Sequence, residues 1–446
     1  MSNSTEAIAQ YETNIARDPT DIASLNQLAM LKSSAGQHDD ALVHISAALK
    51  LAPNHPLLHY NLGQVHGSAG RYEDEIKAYQ QAIALKPDFV EAYVNMGVAL
   101  RDMQLFDEAF EAFKQALRLN PDHPGARTNR AQTNLILGNI EHGWREYEWR
   151  WQDGHQQHDI KGPRWNGKAS LKGKRLLVHA EQGLGDTIQF VRYLEQLKDL
   201  GATIILRVQP PLLGLLSDYP GANSVIDSQA PVPAFDFHIP LLSLPHQLYT
   251  RHPAIPASHH YLKVNPAKVA QWSAWLSAML NRKPATHTTP EKRKPIVGLC
   301  WSGSTYHLND QHRSMRLAQW SSLLDQECVF VSLQKEIREV DQSTFDSHPK
   351  IVNAGAEFTN FEDTAGLLCN LDLVISVDTS VAHLSAALGI PTWVLIPEPA
   401  DWRWLRERTD SPWYPSVRLF RQTTRGDWDD VIARVTQSLT LANLID

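Results

Sequence analysis

Two loops of glycine and small polar residues hold the side chains best suited to chemistry in this sequence. The first loop, EQGLGDTIQFVRYL (181–194), follows an apolar run of strand length and opens a helical pattern. Gly183 and Gly185 allow a tight turn and a close backbone approach, and Asp186 lies where the helix begins. Asp186 is either a helix N-cap or a general base for an acceptor hydroxyl or amide. The loop lacks the G-x-G-x-x-G pattern, so no dinucleotide cofactor is expected.

The second loop, VDTSVAHLSAALGIPTWVLI (377–396), indicates a phosphate site. A strand ends at Asp378, and the helix that follows offers free backbone N–H groups and the positive end of its dipole. Thr379, Ser380 and His383 add side-chain donors at or near its first turn. We predict that this turn binds a diphosphate. Helix capping by Thr379 or Ser380, and simple packing of His383, are the alternatives.

The elements that must position these loops are strands of parallel sheets. Six apolar runs of strand length follow Lys174 and alternate with helical patterns, which is typical of βαβ units. The runs are 175–180, 203–208, 295–300, 329–334, 372–377 and 392–397. The Pro-, Lys- and Thr-rich stretch 281–295 separates the first two from the rest, so we expect it to be a hinge between two Rossmann-like lobes. Such lobes bind ligands at the carboxyl ends of their strands, where both loops lie.

The N-terminal third has an internal repeat instead. Prolines recur every 34 residues, at Pro19, Pro53, Pro87 and Pro121, and small residues recur in the same columns. This pattern over about residues 5–150 resembles the tetratricopeptide repeat family, an α-helical solenoid whose concave groove binds polypeptides. Asn61, Asn95 and Asn129 follow the same period and are either backbone clamps or ordinary helix polarity. The repeats either capture a protein partner or only dimerise the chain or support its C-terminal part.

Composition excludes several classes of partner. The 446 residues carry 42 Lys and Arg against 49 Asp and Glu, with no long basic block, so nucleic acid is disfavoured. No stretch reaches the ~18 apolar residues of a membrane span, and no signal segment opens the chain, so we expect a cytoplasmic protein. The three cysteines are predicted to be reduced core residues. His155 and His158, in the polar connector 152–172, lack a carboxylate or cysteine cluster, so no metal site is expected.

Two segments are dense in aromatic residues. The first, GWREYEWRW (143–151), suits a terminal helix that packs onto another domain, and we interpret it as the junction after the repeats. The second, 401–422, interleaves arginines with the aromatic residues Trp402, Trp404, Trp413 and Tyr414. We favour packing between the lobes over stacking on a sugar or base, because these rings bury large areas.

The GLGD turn paired with DTSVAHLSAALGIP resembles the GT-B glycosyltransferases related to ADP-heptose:lipopolysaccharide heptosyltransferases, over about residues 173–440. The resemblance implies two Rossmann-like lobes and a nucleotide-sugar donor. The resemblance implies that Asp186 is the catalytic base. It also implies that Thr379, Ser380 and His383, beside Asp378, bind the donor phosphates. It also implies a donor role for WSGSTYHLNDQHRS (301–314). There Ser302 and Gly303 approach phosphate, and Arg313 neutralises the leaving group. A solvated loop charge is the alternative for Arg313.

The repeats and the basic residue set this chain apart from the heptosyltransferases. Arg313 replaces the usual Lys, and the repeats replace the usual start. Repeats joined to a GT-B unit are similar to protein O-glycosyltransferases, including bacterial flagellin glycosyltransferases, which implies a protein acceptor. We expect an inverting, metal-independent glycosyltransferase with domains at 1–151, 173–280 and 295–446. The alternatives are a non-catalytic adaptor with a vestigial nucleotide-sugar site and a transferase acting on lipopolysaccharide or a lipid-linked glycan.

Overall fold

The computed structural model describes residues 2–152, 160–249, 255–256, 260–281, 293–306 and 309–442. The chain divides into two compact units, Met1–Gln157 and His158–Asp446. His155, His158 and residues 282–292 of the expected hinge lie outside the described residues. No helix in the described part of the chain is long and apolar enough to cross a membrane.

The first unit is a stack of antiparallel helix pairs, as the 34-residue period predicts. Consecutive helices α2 and α3, α4 and α5, α6 and α7, and α8 and α9 pack together. The helices are α1 (Ser2–Arg17), α2 (Ile22–Ser34), α3 (His38–Leu51), α4 (Pro56–Ser68), α5 (Tyr72–Leu85), α6 (Val90–Asp102), α7 (Phe106–Leu119), α8 (Pro124–Ile136) and α9 (Ile140–Tyr147). The unit is therefore a helical repeat solenoid.

The periodic prolines and glycines have distinct structural tasks. Pro53, Pro87 and Pro121 each follow the end of a helix by two residues, where the missing N–H stops the helix from continuing. Gly63 and Gly97 lie where two helices touch: an added Cβ would come within 2.5 Å of the Tyr79 ring and 2.6 Å of the Phe113 ring. Small residues that recur in the same columns of the repeat therefore lie where helices are in contact.

The recurring asparagines join neighbouring repeats. Asn61 Nδ2 donates to Asn26 Oδ1 at 2.7 Å, and Asn95 Nδ2 donates to the Tyr60 hydroxyl at 2.9 Å. Asn129 Oδ1 accepts a hydrogen bond from a preceding helix, through Arg101 Nη1 at 3.2 Å. These amides already connect one helix pair to the next, and a role in clamping a peptide stays a prediction.

The aromatic segment 143–151 packs on α8 of the same unit. An added Cβ at Gly143 would lie 2.6 Å from the Leu135 side chain, and the Arg127 guanidinium lies 4.3 Å from the Trp149 ring centroid. Helices α8 and α9 pack together as the helices of the earlier pairs do. The segment therefore completes a fourth helix pair, rather than serving only as a junction.

The second unit begins with a four-stranded parallel sheet in the order β3-β2-β1-β4. We call this sheet and its helices the first lobe. Its elements are β1 (Arg175–His179), α10 (Leu184–Phe190), α11 (Leu194–Lys198), β2 (Thr203–Val208), α12 (Leu213–Leu216), β3 (Ser224–Asp227), β4 (Phe237–Pro240) and α13 (Leu244–Leu248). The next helix, α14 (Pro266–Met279), packs instead on the helix Phe361–Leu368 beside the second sheet.

A six-stranded parallel sheet in the order β10-β9-β8-β5-β6-β7 follows, and we call it with its helices the second lobe. Its elements are β5 (Ile296–Cys300), α15 (Asp310–Arg313), α16 (Ser321–Leu324), β6 (Val329–Ser332), α17 (Glu339–Asp346), β7 (Val352–Asn353), α18 (Phe361–Leu368), β8 (Leu373–Val377), α19 (Ser380–Ala387), β9 (Thr392–Ile396), β10 (Val417–Arg421) and α20 (Trp428–Leu441). All six predicted runs are parallel strands, so the α/β expectation is confirmed.

Burial explains which strands the sequence reveals. Strands β5, β8 and β9 are buried at every position, because helices cover both faces of a parallel sheet, and they read as continuous apolar runs. The short strands β3, β4 and β7 and the tail strand β10 were not predicted. Cys300 in β5 is buried as expected, whereas Cys369 is exposed, so the core prediction was wrong for Cys369.

Candidate functional site

The second lobe places two of the predicted loops side by side. Its strand order reverses between β5 and β8, and the crevice at such a switch point is the usual ligand site of an open α/β sheet. Ser302 follows the end of β5, and Asp378 follows the end of β8. Residues 76 positions apart in sequence therefore meet at one edge of the sheet.

The loop after β5 is fixed by a buried amide that sequence reasoning missed. Gln334, which follows β6, accepts the Ser302 N–H with Oε1 at 3.1 Å and donates from Nε2 to Ser302 Oγ at 2.8 Å. Gly303 N donates to Ser314 Oγ at 2.9 Å. An added Cβ at Gly303 would lie 2.6 Å from Arg313 Nη2, so glycine lets the guanidinium approach the backbone.

Arg313 connects the loop after β5 with the loop after β8 at the switch point. Its Nη1 donates to the Asp378 carbonyl at 2.9 Å, and its side chain is 14% exposed, so it is not a solvated loop charge. Its buried Nε has no hydrogen-bond partner among the described residues and lies 3.9 Å from Asp310 Oδ1. A buried guanidinium donor without a partner is unfavourable, and a ligand oxyanion would satisfy it.

The turn from β8 into α19 leaves the start of the helix without a side-chain cap. Thr379 occupies the N-cap position, but it makes no capping hydrogen bond. Its hydroxyl instead lies 3.1 Å from Ser376 Oγ and 3.7 Å from Cys300 Sγ. The backbone N–H groups that begin at Ser380 are therefore not used by a capping side chain, which keeps the phosphate prediction open.

His383, one turn into α19, is packed between aromatic rings. Its Nδ1 lies 2.8 Å from the Tyr414 hydroxyl, and the Trp404 ring stacks on it at 5.2 Å between centroids. Burial, reinforced by the charge of Arg403, lowers the pKa of His383 to about 3, so the ring is neutral near pH 7. The geometry matches the packing alternative, and a phosphate contact by His383 stays a prediction.

Asp378 is an acid in an unfavourable setting. Burial raises the pKa of its carboxyl to about 6, and the negative charge of Asp401 adds to the increase. Asp401 accepts a hydrogen bond from Arg403 Nη1 at 2.8 Å, and that cation lowers the pKa of Asp401. The two carboxylates therefore differ in acidity because only Asp401 is paired with Arg403.

Asp186 belongs to the first lobe and forms a hydrogen bond with a residue of the second lobe. It is the third residue of α10, not its N-cap, and its Oδ2 accepts the Gly183 N–H at 2.8 Å. Its Oδ1 accepts from Nη2 of Arg403, 217 positions later in the chain. Asp186 thus bonds to its own helix start and to the opposite lobe at once.

The two glycines of the GLGD turn have packing tasks. The Gly183 N–H is already occupied by Asp186, and an added Cβ at Gly185 would lie 2.9 Å from His383 Cδ2. Glycine at 185 thus lets α10 approach α19 closely, which brings Asp186 to the second lobe. Binding of a donor by Gly183 or Gly185 stays a prediction.

The aromatic tail (401–422) packs against the first lobe, as we predicted from its sequence. Phe190 of α10 meets Trp413 edge-to-face at 5.6 Å and lies 6.3 Å from Trp402. Buried Arg192 donates to the Trp413 carbonyl at 2.5 Å and to the Tyr261 hydroxyl at 2.9 Å. The packing interpretation of the tail is confirmed. Sequence reasoning did not single out Arg403. The arginines between the aromatic residues of the tail were the signal that could have done so, because a basic residue among buried rings requires a partner.

The structure brings Asp186 together with Asp378, His383 and the loop of Arg313, through Arg403 and the contact of α10 with α19. Within the described residues, no group of three His, Cys, Asp or Glu side chains is arranged to hold a metal. The site combines one carboxylate from the first lobe with a guanidinium and a helix start from the second. Such a set can hold an anion beside a proton acceptor.

The tetratricopeptide repeat family matches residues 21–88 and 90–123. Among curated proteins, the chain is similar to Protein FlbA of Caulobacter vibrioides, with 28% identity over 340 residues that cover 70% of this chain and 54% of FlbA. The chain spans about half the length of that relative. Because the match is longer than the first unit, it includes part of the second unit.

Solved structures with similar helices include MamA and PilW, a type IV pilus biogenesis factor. MamA is 21% identical, with a TM-score of 0.31 over 34% of this chain and 89% of its own. PilW is 19% identical, with a TM-score of 0.33 over 35% of this chain and 73% of its own. The assignment of tetratricopeptide repeats rests on the family match and the helix pairs instead. The repeats suggest a role in protein interaction, and the second unit is an α/β unit with parallel sheets.

Proposed function

We propose that the second unit is a GT-B glycosyltransferase that moves a sugar from a nucleotide-sugar donor to a protein recruited by the repeats. The observation that carries this proposal is the buried Nε of Arg313, which has no hydrogen-bond partner among the described residues and lies at the switch point beside the uncapped start of α19. A cationic donor and free backbone N–H groups at one sheet edge suit a diphosphate. The finer assignment to the heptosyltransferase-like class rests on the resemblance of both loops.

The second lobe would hold the donor. Ser302 and Gly303 line the loop that Gln334 fixes, and Thr379 and Ser380 open the helix on the other side of the crevice. Arg313 joins the two sides through the Asp378 carbonyl. During transfer the bond between the anomeric carbon and the phosphate oxygen breaks, and its electron pair leaves with the phosphate. Arg313 and the α19 N–H groups stabilise that charge, which is the role a cation would otherwise have.

The first lobe would activate the acceptor. Each carboxylate oxygen has two lone pairs, and each oxygen of Asp186 uses one, toward Gly183 and toward Arg403. An acceptor hydroxyl or amide can therefore donate its proton to Asp186 while its oxygen or nitrogen forms the new bond to the anomeric carbon. Attack from the face opposite the leaving phosphate inverts the configuration. Glu181, the other candidate base at this edge, has an oxygen that accepts the Leu242 N–H at 3.0 Å.

Nucleotide binding by the full chain tests the donor half of the proposal. We expect ADP, UDP, GDP or CDP to raise the melting temperature in EDTA, and Arg313→Gln to reduce that rise. Arg118→Gln, an equal loss of charge in the first unit, is the matched control. A rise seen only after magnesium or manganese is added would contradict the metal-independent mechanism. No rise with any nucleotide would overturn the donor site.

Mass spectrometry tests the transfer half. Proteins that copurify with the chain are expected to gain a discrete sugar mass that they lack when Asp186→Asn replaces the native enzyme. Nucleotide binding without any such gain would instead favour the non-catalytic adaptor. A gain on lipid-linked glycan, with none on protein, would favour the lipid acceptor.

A further inference from the structure

A cavity lies in the second lobe beside the segment that carries Arg313. It has a volume of about 320 Å³ and opens between α15 with the segment that follows it and the loops that follow β9 and β10. Its lining includes His312, Arg316, Glu398, Gln422, Arg425 and Trp428. This size falls at the lower end of the roughly 300–1,000 Å³ of small-molecule sites. Its lining shares Gln311, His312 and Ser314 with the segment 301–314, but it includes none of Ser302, Gly303, Arg313, Thr379, Ser380 or Asp186.

The cavity contains a buried donor without a partner. Gln422 is 7% exposed, and its Oε1 accepts two backbone N–H groups, from Glu398 at 3.0 Å and from Gly426 at 3.2 Å. These two bonds fix the orientation of the amide, because only the oxygen can accept. The Nε2 of Gln422 is therefore a donor, and it has no hydrogen-bond partner among the described residues. Buried polar groups are nearly always satisfied, so a missing ligand acceptor is the physical explanation.

The charges of the lining indicate the ligand. Arg316 is exposed, and Arg425 is held by a hydrogen bond from its Nε to the Glu398 carbonyl at 3.1 Å. The lining includes two guanidinium groups and one carboxylate, that of Glu398, so its net charge favours an anion. The carboxylate accepts hydrogen bonds from hydroxyl groups, and the Trp428 ring offers an apolar surface. A small molecule with one oxyanion group and several hydroxyls satisfies all of these groups.

We propose that this cavity binds a hydroxylated oxyanion of monosaccharide size, with a carboxylate or phosphate group on Arg316 and Arg425 and a ligand oxygen on Gln422 Nε2. The cavity is separate from the donor diphosphate site, but Ser314 links them. Ser314 lines the cavity and also accepts the Gly303 N–H at 2.9 Å. The inference does not depend on glycosyl transfer.

Three probes that share a pyranose ring test the proposal: glucuronate, glucose 6-phosphate and glucose. Their binding to the full-length chain is measured by titration calorimetry. We expect at least one anionic probe to bind at least about tenfold more tightly than glucose. The preferred probe tells whether the group recognised is a carboxylate or a phosphate.

Two variants locate the binding. Gln422→Glu keeps an oxygen for both backbone N–H groups but replaces the free donor with a negative oxygen, and Arg316→Gln removes one exposed charge. Each is expected to weaken anionic binding by about tenfold or more. If Gln422→Glu fails to fold by circular dichroism, Arg316→Gln decides alone, because an exposed side chain contributes little to folding.

Arg118→Gln and Arg313→Gln complete the design. Both should leave binding of the anionic probes unchanged, since one lies in the first unit and the other at the switch point. Loss of binding in Arg313→Gln but not in Arg316→Gln would place the anion in the donor site and overturn the proposal. Equal binding of glucose, or no binding of either anion, would also overturn it. Neither result bears on nucleotide binding at the switch point.

Discussion

The carboxyl edges of the two sheets in the second unit present different sets of side chains. The edge of the first lobe presents the carboxylates of Glu181 and Asp186, both of which accept backbone N–H groups. The edge of the second lobe presents the Arg313 guanidinium and the uncapped start of α19. Under the proposed function, the first lobe would supply the proton acceptor and the second lobe the anion site. The difference between the two edges is the reason for proposing separate roles for the lobes rather than two equivalent binding sites.

Arg403 connects the two edges. It pairs with Asp401 in its own lobe and with Asp186 in the opposite lobe, and it stacks on Trp402 with 4.0 Å from the guanidinium carbon to the ring centroid. One cation thus holds the acidic residue of the first lobe against the basic side. Experiments that separate Arg403 from Asp186 show whether the carboxylate acts in chemistry or in holding the lobes together.

The largest expected effect is that of Asp186→Asn. The amide oxygen can still accept the Gly183 N–H, but it cannot take a proton, so transfer should fall ~10²–10⁴-fold. The measurement is the initial rate of sugar addition to a copurified acceptor. Arg403→Gln is the matched control, because it breaks the same ion pair and leaves the carboxylate. Equal losses in the two variants would assign Asp186 to lobe packing.

Removal of residues 1–157 tests whether the acceptor reaches the first lobe through the repeats. Nucleotide binding should persist, because the donor residues lie in the second unit. Transfer to protein at low acceptor concentration should fall by ~10²-fold or more, since a tethered acceptor gains effective concentration. The measured quantity is the transfer rate against acceptor concentration. A truncated chain as fast as the full chain would show that the repeats do not recruit the acceptor.

Arg313→Gln tests whether the edge of the second lobe binds the diphosphate. The loss of a charge-assisted hydrogen bond costs about 1.5–3 kcal/mol, so nucleoside diphosphate binding should weaken roughly 10–100-fold. Calorimetry with the full chain measures it, and Arg118→Gln controls for net charge. Unchanged affinity would move the diphosphate away from the switch point.

The smallest effect is on stability against pH. The pKa of Asp378 is about 6 in the folded chain, above its ordinary value of 3.8. Protonation of this carboxyl therefore stabilises the fold at low pH, and this stabilisation is lost as pH rises from about 4 to 6. The lowered pKa of His383, about 3, acts oppositely: its contribution is lost as pH falls below the ordinary value of 6.5. Between about pH 4 and 6 the two slopes nearly cancel in the native chain.

Asp378→Asn removes the pH-dependent contribution of Asp378 and leaves that of His383. Relative to the native chain, the variant should lose unfolding free energy steadily as pH falls from about 6 to 4, by at most roughly 1 kcal/mol per pH unit. Denaturant unfolding at several pH values measures the slope. Parallel curves for the two proteins would show that Asp378 is not perturbed. A steeper loss in the native chain would reverse the assigned sign.

Local patterns in the sequence predicted the repeats and the buried strands. The 34-residue period determined the helix pairs, because each pair contacts only its neighbours and a local rule suffices. Strands β5, β8 and β9 were predicted because burial on both faces requires continuous apolar runs. The half-buried strand β3 and the two-residue strand β7 carry no such signal. The sequence also placed Asp186 and Arg313 in loops that follow strands.

Only the tertiary structure decided which of these residues meet. Asp186 and Arg403 are 217 positions apart, and no local pattern encodes their contact, which depends on the close approach of α10 and α19 at Gly185. The sequence left Arg313 open as a solvated charge, whereas the fold buries it against the Asp378 carbonyl. His383 is neutral for the same reason, since burial among Trp404 and Tyr414 sets its pKa. Residue type and spacing determined what each side chain can do, and packing of distant segments decided its partners, exposure and charge.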